Sequence, residues 1–349
     1  MAGGGTGGHV IPSLAVAREL SARGHEVIFA GTRAGLEARL VPAAGFAIEW
    51  IETGAWQRVS WLRRARTLWQ IPASLLRSIR LLDRTRAAAV FSLGGYVAAP
   101  VVAAALVRGV PVVAMEPNAM PGLVNRLTGR WVTKALVGFE ETRAWFPNGR
   151  AEVTGVPVRA EFFSLPAKAP GERMTTLITG GSRGSRTLNR AFAASWPLFG
   201  KEGVNVRFHH QCGDADRDEL ARSFAGTGLP GSVDAFIADM PAAFAEADLV
   251  VCRSGANAVA ELAAAGKPSI LVPFPFAADD HQKKNAEVLV RAGAARLVED
   301  RQMDGARLFS EVMGLLRDRA ALARMGEAAR RLAHPGAATR AATVLEELI

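Results

Sequence analysis

Short, nearly unbroken apolar runs alternate along the chain with longer amphipathic segments. HEVIFAG (25–31), AAVFSLGG (88–95), PVVAME (111–116) and KALVGF (134–139) lack polar alternation. That is the pattern of strands buried on both faces of a parallel sheet. PSLAVARELSARG, the Leu- and Arg-rich stretch 61–82, and APVVAAALVRG separate them with helical periodicity. Near TGVPVR (154–159) the alternation pauses, and SLPAKAPGERM (164–174) reads as a domain junction. The theme then restarts with MTTLITGGSRGSRTLNRAF (174–192): strand, glycine turn, helix. VRFHHQCG (206–213), DLVVCRSG (248–255) and SILVPF (269–274) follow as strands, with ANAVAELAAAG and HQKKNAEVLVRAG as helices. Strands alternating with helices predict an α/β fold of two Rossmann-like, doubly wound parallel-sheet domains facing each other across a cleft. The expected domains are 1–160 and 161–336. A last helix, 337–349, follows His334-Pro335-Gly336 and is expected to pack back on the first domain.

Composition narrows the class. At 349 residues, 49% of them apolar, the chain can build two cores. Its formal net charge of +9 favours partners carrying phosphate: nucleotides, nucleic acid or an anionic membrane. Cys212 and Cys252 form no disulfide framework and no metal spacing, as suits a reducing cytosol. The start lacks the basic and apolar regions of a signal peptide. The longest apolar stretch, Val97–Met115, is broken by Pro100, Arg108, Gly109 and Pro111, and reads as no membrane span.

Two glycine turns carry candidate chemistry. Gly3-Gly4-Gly5-Thr6-Gly7-Gly8 satisfies G-x-G-x-x-G at the start of a helix, where free N–H groups attract a phosphate or a developing negative charge. An NAD site also needs an acid at the end of the second strand. That strand ends Ala30-Gly31-Thr32-Arg33, with no acid. Arg33 is a residue type that takes a 2′-phosphate, so NADP stays open on this point. Close strand–helix packing is the plainer role for such glycines. The second turn, Gly180 to Ser185, places Ser182 either at a phosphate or as a helix N-cap. Farther on, Ser254-Gly255 makes a tight strand-to-helix turn. Glu261, seven residues after Ser254, lies about two helical turns on and on the same face, where a carboxylate can accept from a ribose diol. Gln282 stands beside a helix start, where an amide reaches sugar hydroxyls. Asp279 and Asp280 are expected to cap that helix.

The motifs GGGTGGHV-P, SLGGYVAAP, E-NAMPG, GVPVR, GGSRGS, CRSGA…AE-AAAGKPSILVPFP and HQKKNA occur in series. In that order the chain resembles, over essentially its whole length, the MurG family, the UDP-N-acetylglucosamine:undecaprenyl-diphospho-muramoyl-pentapeptide N-acetylglucosaminyltransferases of peptidoglycan synthesis. The resemblance implies a GT-B fold and inverting, metal-free transfer of GlcNAc to the muramoyl 4-hydroxyl of lipid I, giving lipid II. It implies donor contacts on Thr6, Gly7, Gly8, Asn118, Arg159 and Ser182, and on the backbone of Ile237. It adds Ala256, Asn257, Ala258, Val259, Ala260, Glu261 and Gln282. No cofactor or metal is expected. A base must take the acceptor proton while positive charge stabilises departing UDP. His9 is the candidate, as base, phosphate ligand or turn cap, and Glu116 is the second. Where the family often reads His-Glu-Gln-Asn, this chain has Met115-Glu116-Pro117-Asn118, and His281 stands where some members have a first Gln of a pair.

Residues 56–86 hold eight arginines and one acid, interleaved with apolar side chains. Trp56, Trp61, Arg63, Arg64, Arg66 and Trp69 compose a surface expected to lie on an anionic bilayer. The plainer alternative is a core helix with a solvated basic face. No nucleic-acid reader motif accompanies the charge. The expected location is peripheral, on the cytoplasmic face of the cell membrane, with other cell-wall synthesis proteins as partners. An epimerase of UDP-GlcNAc and a non-catalytic UDP-sugar-binding membrane protein are the alternatives from other classes. Finally, only Met1 and Ala2 precede the first glycine turn, so the first strand of the N-terminal domain is expected to be truncated. About five missing apolar residues forfeit on the order of 10 kcal/mol of burial, and weak N-domain stability is expected.

Overall fold

The computed structural model describes residues 1–5, 7–51, 61–166, 168, 173–203 and 205–349; the side chains of 61–71 lie outside that description. The chain divides into two compact units, Met1–Val158 with Gly336–Ile349, and Arg159–Pro335.

In the first unit, helix α1 (Gly7–Ala22) leaves the glycine turn with Val10, Leu14 and Ala17 on its buried face. Strand β1 (Ile28–Gly31) leads to helix α2 (Glu37–Ala43) and to β2 (Ala47–Trp50). Helix α3 (Trp61–Thr85) precedes β3 (Val90–Ser92) and helix α4 (Gly95–Arg108). Strand β4 (Val112–Glu116), helix α5 (Leu123–Thr128), β5 (Lys134–Val137) and β6 (Ala151–Val153) complete the unit, with the C-terminal helix Ala337–Glu346 packed on α1. Strands β3-β4-β5-β6 form one parallel sheet in sequence order, and β1 pairs with β2 in parallel. Two residues join these pieces. Ala2 bridges Ala30 on one side and Ser92 on the other, and Met1 donates its α-ammonium to the Ile28 carbonyl at 2.8 Å. Burial pushes that ammonium down to about 5. A cavity of about 320 Å³ adjoins Met1, lined by Leu20, Leu82, Val90, Val101 and Leu345 among others.

The second unit holds six parallel strands in the order β12-β11-β10-β7-β8-β9. These are β7 (Met174–Thr179), β8 (Val206–Gln211), β9 (Gly231–Asp234), β10 (Leu249–Cys252), β11 (Ser269–Leu271) and β12 (Ala295–Leu297). Leu249, Val251 and Ile270 lie in a core with Phe192, Phe199 and Phe208. Strands β2, β6, β9 and β12 have no counterpart among the sequence-predicted ones. They are three or four residues long and only partly buried, so no continuous apolar run announces them. Several predicted strands are also shorter than their runs. The run 88–95 yields Val90–Ser92 because Gly94 and Gly95, at φ 75° and 78°, turn the chain out of the sheet.

Candidate functional site

In both units the candidate residues gather at the C-terminal ends of parallel strands, where doubly wound sheets bind ligands. In the first unit the glycine turn wraps around a buried carboxylate. Glu37, the first residue of α2, is fully buried and accepts from the Gly5 N–H at 2.7 Å through Oε2. Its Oε1 accepts from the Thr32 N–H at 2.9 Å and the Thr32 hydroxyl at 2.8 Å. The turn is therefore not the open anion cradle expected from its glycines, because one of its donors already serves a carboxylate. The acid sought after the second strand is present, six residues beyond Gly31. Its commitments to Thr32 and Gly5 leave no ribose clamp, which removes the ground for a dinucleotide reading.

His9, half-buried in the first turn of α1, faces the Gly4 carbonyl with Nδ1 at 3.1 Å. Burial pushes its imidazole below the ordinary value, while the Gly4 carbonyl and the Glu37 charge pull it back up. A Cβ on Gly95 would stand 3.2 Å from the His9 ring, so the glycine pair after β3 gives the imidazole its space. Thr6 lies outside the described residues. Gly7 and Gly8 begin α1.

Glu116 ends β4, 2% exposed, and four donors surround it. Oε1 accepts from the Asn118 N–H at 3.0 Å and its Nδ2 at 3.2 Å; Oε2 accepts from the Gly122 N–H at 2.9 Å and Asn125 Nδ2 at 2.9 Å. Burial raises its pKa against these four bonds. With both oxygens doubly engaged, Glu116 holds the 116–125 loop and keeps no lone pair for an acceptor proton. Where the family often has His, Met115 is fully buried core.

In the second unit Ser185, not Ser182, caps the helix Arg186–Glu202, accepting from the Leu188 N–H at 3.3 Å. Ser182 is exposed at the tip of the turn. The Ile237 N–H already donates to Gln211 Oε1 at 2.9 Å, so its carbonyl is the backbone group left for a ligand. Gln211 in turn donates to the Gly181 carbonyl at 2.9 Å, tying the Ile237 segment to the glycine turn. Sequence reasoning did not single out Gln211; its place at the end of β8, opposite Thr179, was the available signal.

Ser254 is fully buried and donates to the Gln282 carbonyl at 2.8 Å. It therefore ties the helix Ala256–Ala265 to the helix His281–Arg291. Residues 256–260 form the start of the first of these helices. Glu261 on its next turn has its carboxyl pushed up to about 7 by burial, with Arg159 as the opposing charge. The Arg159 guanidinium lies 5.1 Å from the Phe162 ring centroid. Gln282 accepts the Phe274 N–H at 3.0 Å, which leaves its amide hydrogens as donors. The expected caps differ. Asp279 and Asp280 both take left-handed conformations, φ 51°, and Asp280 makes no side-chain cap bond.

The basic–aromatic segment is described only in part. Trp56 lies outside the described residues, and for Trp61, Arg63, Arg64, Arg66 and Trp69 the backbone is helical. Farther along α3, Leu82 is core, and Leu75 and Ile79 pack on it, whereas Leu76 is 54% exposed. A second apolar, basic surface was missed in the sequence. Leu127 and Trp131 are 60% and 54% exposed, with Arg130 4.2 Å from the Trp131 ring. Helices α3 and α5 both pack on α4.

Against known proteins, the Glycosyltransferase family 28 N-terminal domain matches residues 1–137 and the Glycosyltransferase family 28 C-terminal domain matches residues 175–341. The UDP-N-acetylglucosamine--N-acetylmuramyl-(pentapeptide) pyrophosphoryl-undecaprenol N-acetylglucosamine transferase of Solibacter usitatus is 60% identical over 348 residues, covering 100% of this chain and 95% of the relative. The crystal structure of Acinetobacter baumannii MurG superposes with a TM-score of 0.82 at 31% identity, covering 99% of this chain and 97% of the other. A UDP-N-acetylglucosamine 2-epimerase shares the fold at 15% identity, with a TM-score of 0.67, covering 97% of this chain and 91% of the other. The chain belongs to glycosyltransferase family 28, among its UDP-N-acetylglucosamine--N-acetylmuramyl-(pentapeptide) pyrophosphoryl-undecaprenol N-acetylglucosamine transferases.

Proposed function

We propose that His9 is the general base in the reaction this chain carries out as a member of that family: inverting transfer of GlcNAc from UDP-GlcNAc to the muramoyl 4-hydroxyl of lipid I, giving lipid II. The observation that carries this assignment is the contrast between the two candidate bases. Glu116 has both carboxylate oxygens filled by donors from the loop that follows and from α5, whereas His9 has one ring nitrogen engaged and the other available. His9 Nε2 takes the proton from the acceptor hydroxyl as its oxygen attacks C1 of GlcNAc. The C1–oxygen bond breaks, and UDP leaves with the electron pair.

The donor is held by the second unit. Glu261 accepts from the ribose hydroxyls, Gln282 donates to the GlcNAc hydroxyls, and Ser182 donates to the diphosphate. Arg159 supplies positive charge to the departing diphosphate, and the Ile237 carbonyl is the backbone group offered to the donor. The family resemblance also implies donor contacts on Thr6, Gly7, Gly8 and Asn118. The acceptor is lipid-linked, so the enzyme works at a membrane surface. No described helix is long and apolar enough to cross a membrane. Peripheral binding to the anionic cytoplasmic face, through the Arg- and Trp-rich start of α3 and the exposed Leu127 and Trp131, brings the first unit to that substrate.

Turnover of UDP-GlcNAc with a short-chain lipid I analogue tests the reading. Disaccharide product is expected; a C2-epimerised sugar, or donor binding without turnover, overturns it. His9→Ala should lower kcat by about 10²- to 10⁴-fold and leave the donor dissociation constant within about twofold. Unchanged turnover removes His9 as base.

A further inference from the structure

The glycine turn carries one arrangement that the transfer reaction alone does not explain. The Gly5 N–H and the Gly4 carbonyl belong to the same peptide group. Its N–H end points into the protein and donates to Glu37 Oε2 at 2.7 Å. Its carbonyl end faces His9 Nδ1 at 3.1 Å. A peptide group is planar and resonance-coupled, so a charge-assisted bond at its N–H polarises its carbonyl oxygen. We propose that Glu37 is a positioning residue for His9, acting through the Gly4–Gly5 peptide group as a carboxylate–amide–imidazole relay.

The surroundings are built for that carboxylate. A Cβ on Gly4 or on Gly35 would overlap its carboxyl oxygens, and one on Gly31 would stand 2.7 Å from its Cγ. Three glycines from two separate segments thus clear one space. Thr32 fills Oε1 with two donors, which leaves Oε2 to the peptide group. Glu37 begins α2, where the helix dipole favours a negative charge. Gly5 sits at φ 87°, a conformation that lets the turn present both ends of one peptide group, and that a side chain would strain.

The relay has two consequences for His9. A carbonyl is an acceptor only, so Nδ1 carries the ring proton and Nε2 keeps the lone pair a base needs. The buried negative charge also makes the imidazole a stronger proton acceptor than its burial alone allows. Glu37 on α2 is the charged group among the described residues whose field acts on His9. Tyr96 on α4 is the titratable neighbour, with its ring 3.6 Å from where a Gly5 Cβ would stand.

The inference rests on His9 as base, and two measurements separate the failure of one from the failure of the other. The first needs no variant of Glu37. The nitrogen resonances of His9 in the ¹⁵N-histidine-labelled wild-type protein, assigned by their loss in His9→Gln, report its tautomer. A neutral ring protonated on Nδ1 is expected, and one protonated on Nε2 overturns the relay whether or not His9 is the base. The second compares Glu37→Gln with wild type across pH, with UDP-GlcNAc and the short-chain acceptor. kcat should fall about 10- to 100-fold with donor KM within about twofold, as for other groups that orient a working histidine. Because the carboxylate raises the basicity of His9, its loss should move the acidic limb of the kcat profile to lower pH, along with the His9 titration itself. An unmoved limb and an unmoved His9 titration in folded Glu37→Gln overturn the inference, while the His9→Ala result stands or falls on its own.

Discussion

Glu261 combines a carboxyl with surroundings that favour its neutral form, so the ribose contact proposed for it predicts pH-dependent donor binding. Burial holds its pKa at about 7 in the ligand-free protein, against the nearby Arg159. A ribose diol donates two hydrogen bonds, and the ionised carboxylate accepts both better than the acid does. Below about pH 7 the protonated fraction grows, so UDP-GlcNAc affinity should fall as pH is lowered from 8 to 6. Glu261→Gln should bind UDP-GlcNAc, whose own diphosphate does not titrate over that range, about tenfold more weakly at pH 8 and show little pH dependence. Calorimetric titration of UDP-GlcNAc at several pH values measures both effects. A flat wild-type profile, or an unchanged dissociation constant in the variant, counts against the ribose contact. Gln211 works on the same scale: one side-chain amide ties the Ile237 N–H to the carbonyl of Gly181.

At the scale of elements, the glycine turn between β7 and the helix Arg186–Glu202 is set by what crosses it. Gly184 lies at φ 71°, and a Cβ there would overlap the Cys212 carbonyl at the end of the neighbouring strand. Gly228 has nearly the same φ, 72°, with nothing within 4 Å. Gly228→Ala should cost about 1 kcal/mol, from backbone conformation alone. Gly184→Ala should cost at least about 3 kcal/mol, because the backbone itself must move. Thermal melts of the two variants measure the difference, and equal shifts would contradict the packing argument. The same contrast explains which features were legible in the sequence. Central strands such as β4, β7 and β10 are buried on both faces and announce themselves as apolar runs. The short edge strands β2, β6, β9 and β12 do not. The glycine turns were visible as motifs, but their partners are distant in sequence. Nothing local marks Glu37 as the reason for Gly4, Gly31 and Gly35, or Cys212 as the reason for Gly184. Ser182 was the cap candidate considered from the sequence, and the 3.3 Å bond from the Leu188 N–H gives that role to Ser185 instead. Glu116 was named from the sequence only as the second candidate base. Its four donors come from the loop that follows and from Asn125 on α5, an approach the motif does not reveal.

Across the whole molecule, charge is unevenly shared. The first unit holds 19 of the 42 Lys and Arg residues but only 12 of the 33 acids, so most of the net charge of +9 belongs to it. Among its exposed apolar side chains, Leu76, Val107, Leu123, Leu127 and Trp131 come from α3, from α4 and from α5 with the segment after it. The two features together favour an anionic bilayer over a neutral one, since each basic residue near such a surface contributes about 1 kcal/mol and buried apolar area adds to it. The protein should therefore float with vesicles containing anionic lipid and remain unbound to purely zwitterionic ones. Raising the salt from 0.05 M to 0.5 M should release much of it, because screening acts on the charges and not on the apolar contacts. Reversal of Arg63, Arg64 and Arg66 to Glu should weaken vesicle binding by at least about 100-fold. Leu127→Ser with Trp131→Ser should weaken it less and leave its salt dependence in place, because the cations remain. If flotation survives the arginine reversal, the start of α3 is not the contact. If it survives the α5-side pair unchanged, the bilayer is met by α3 alone.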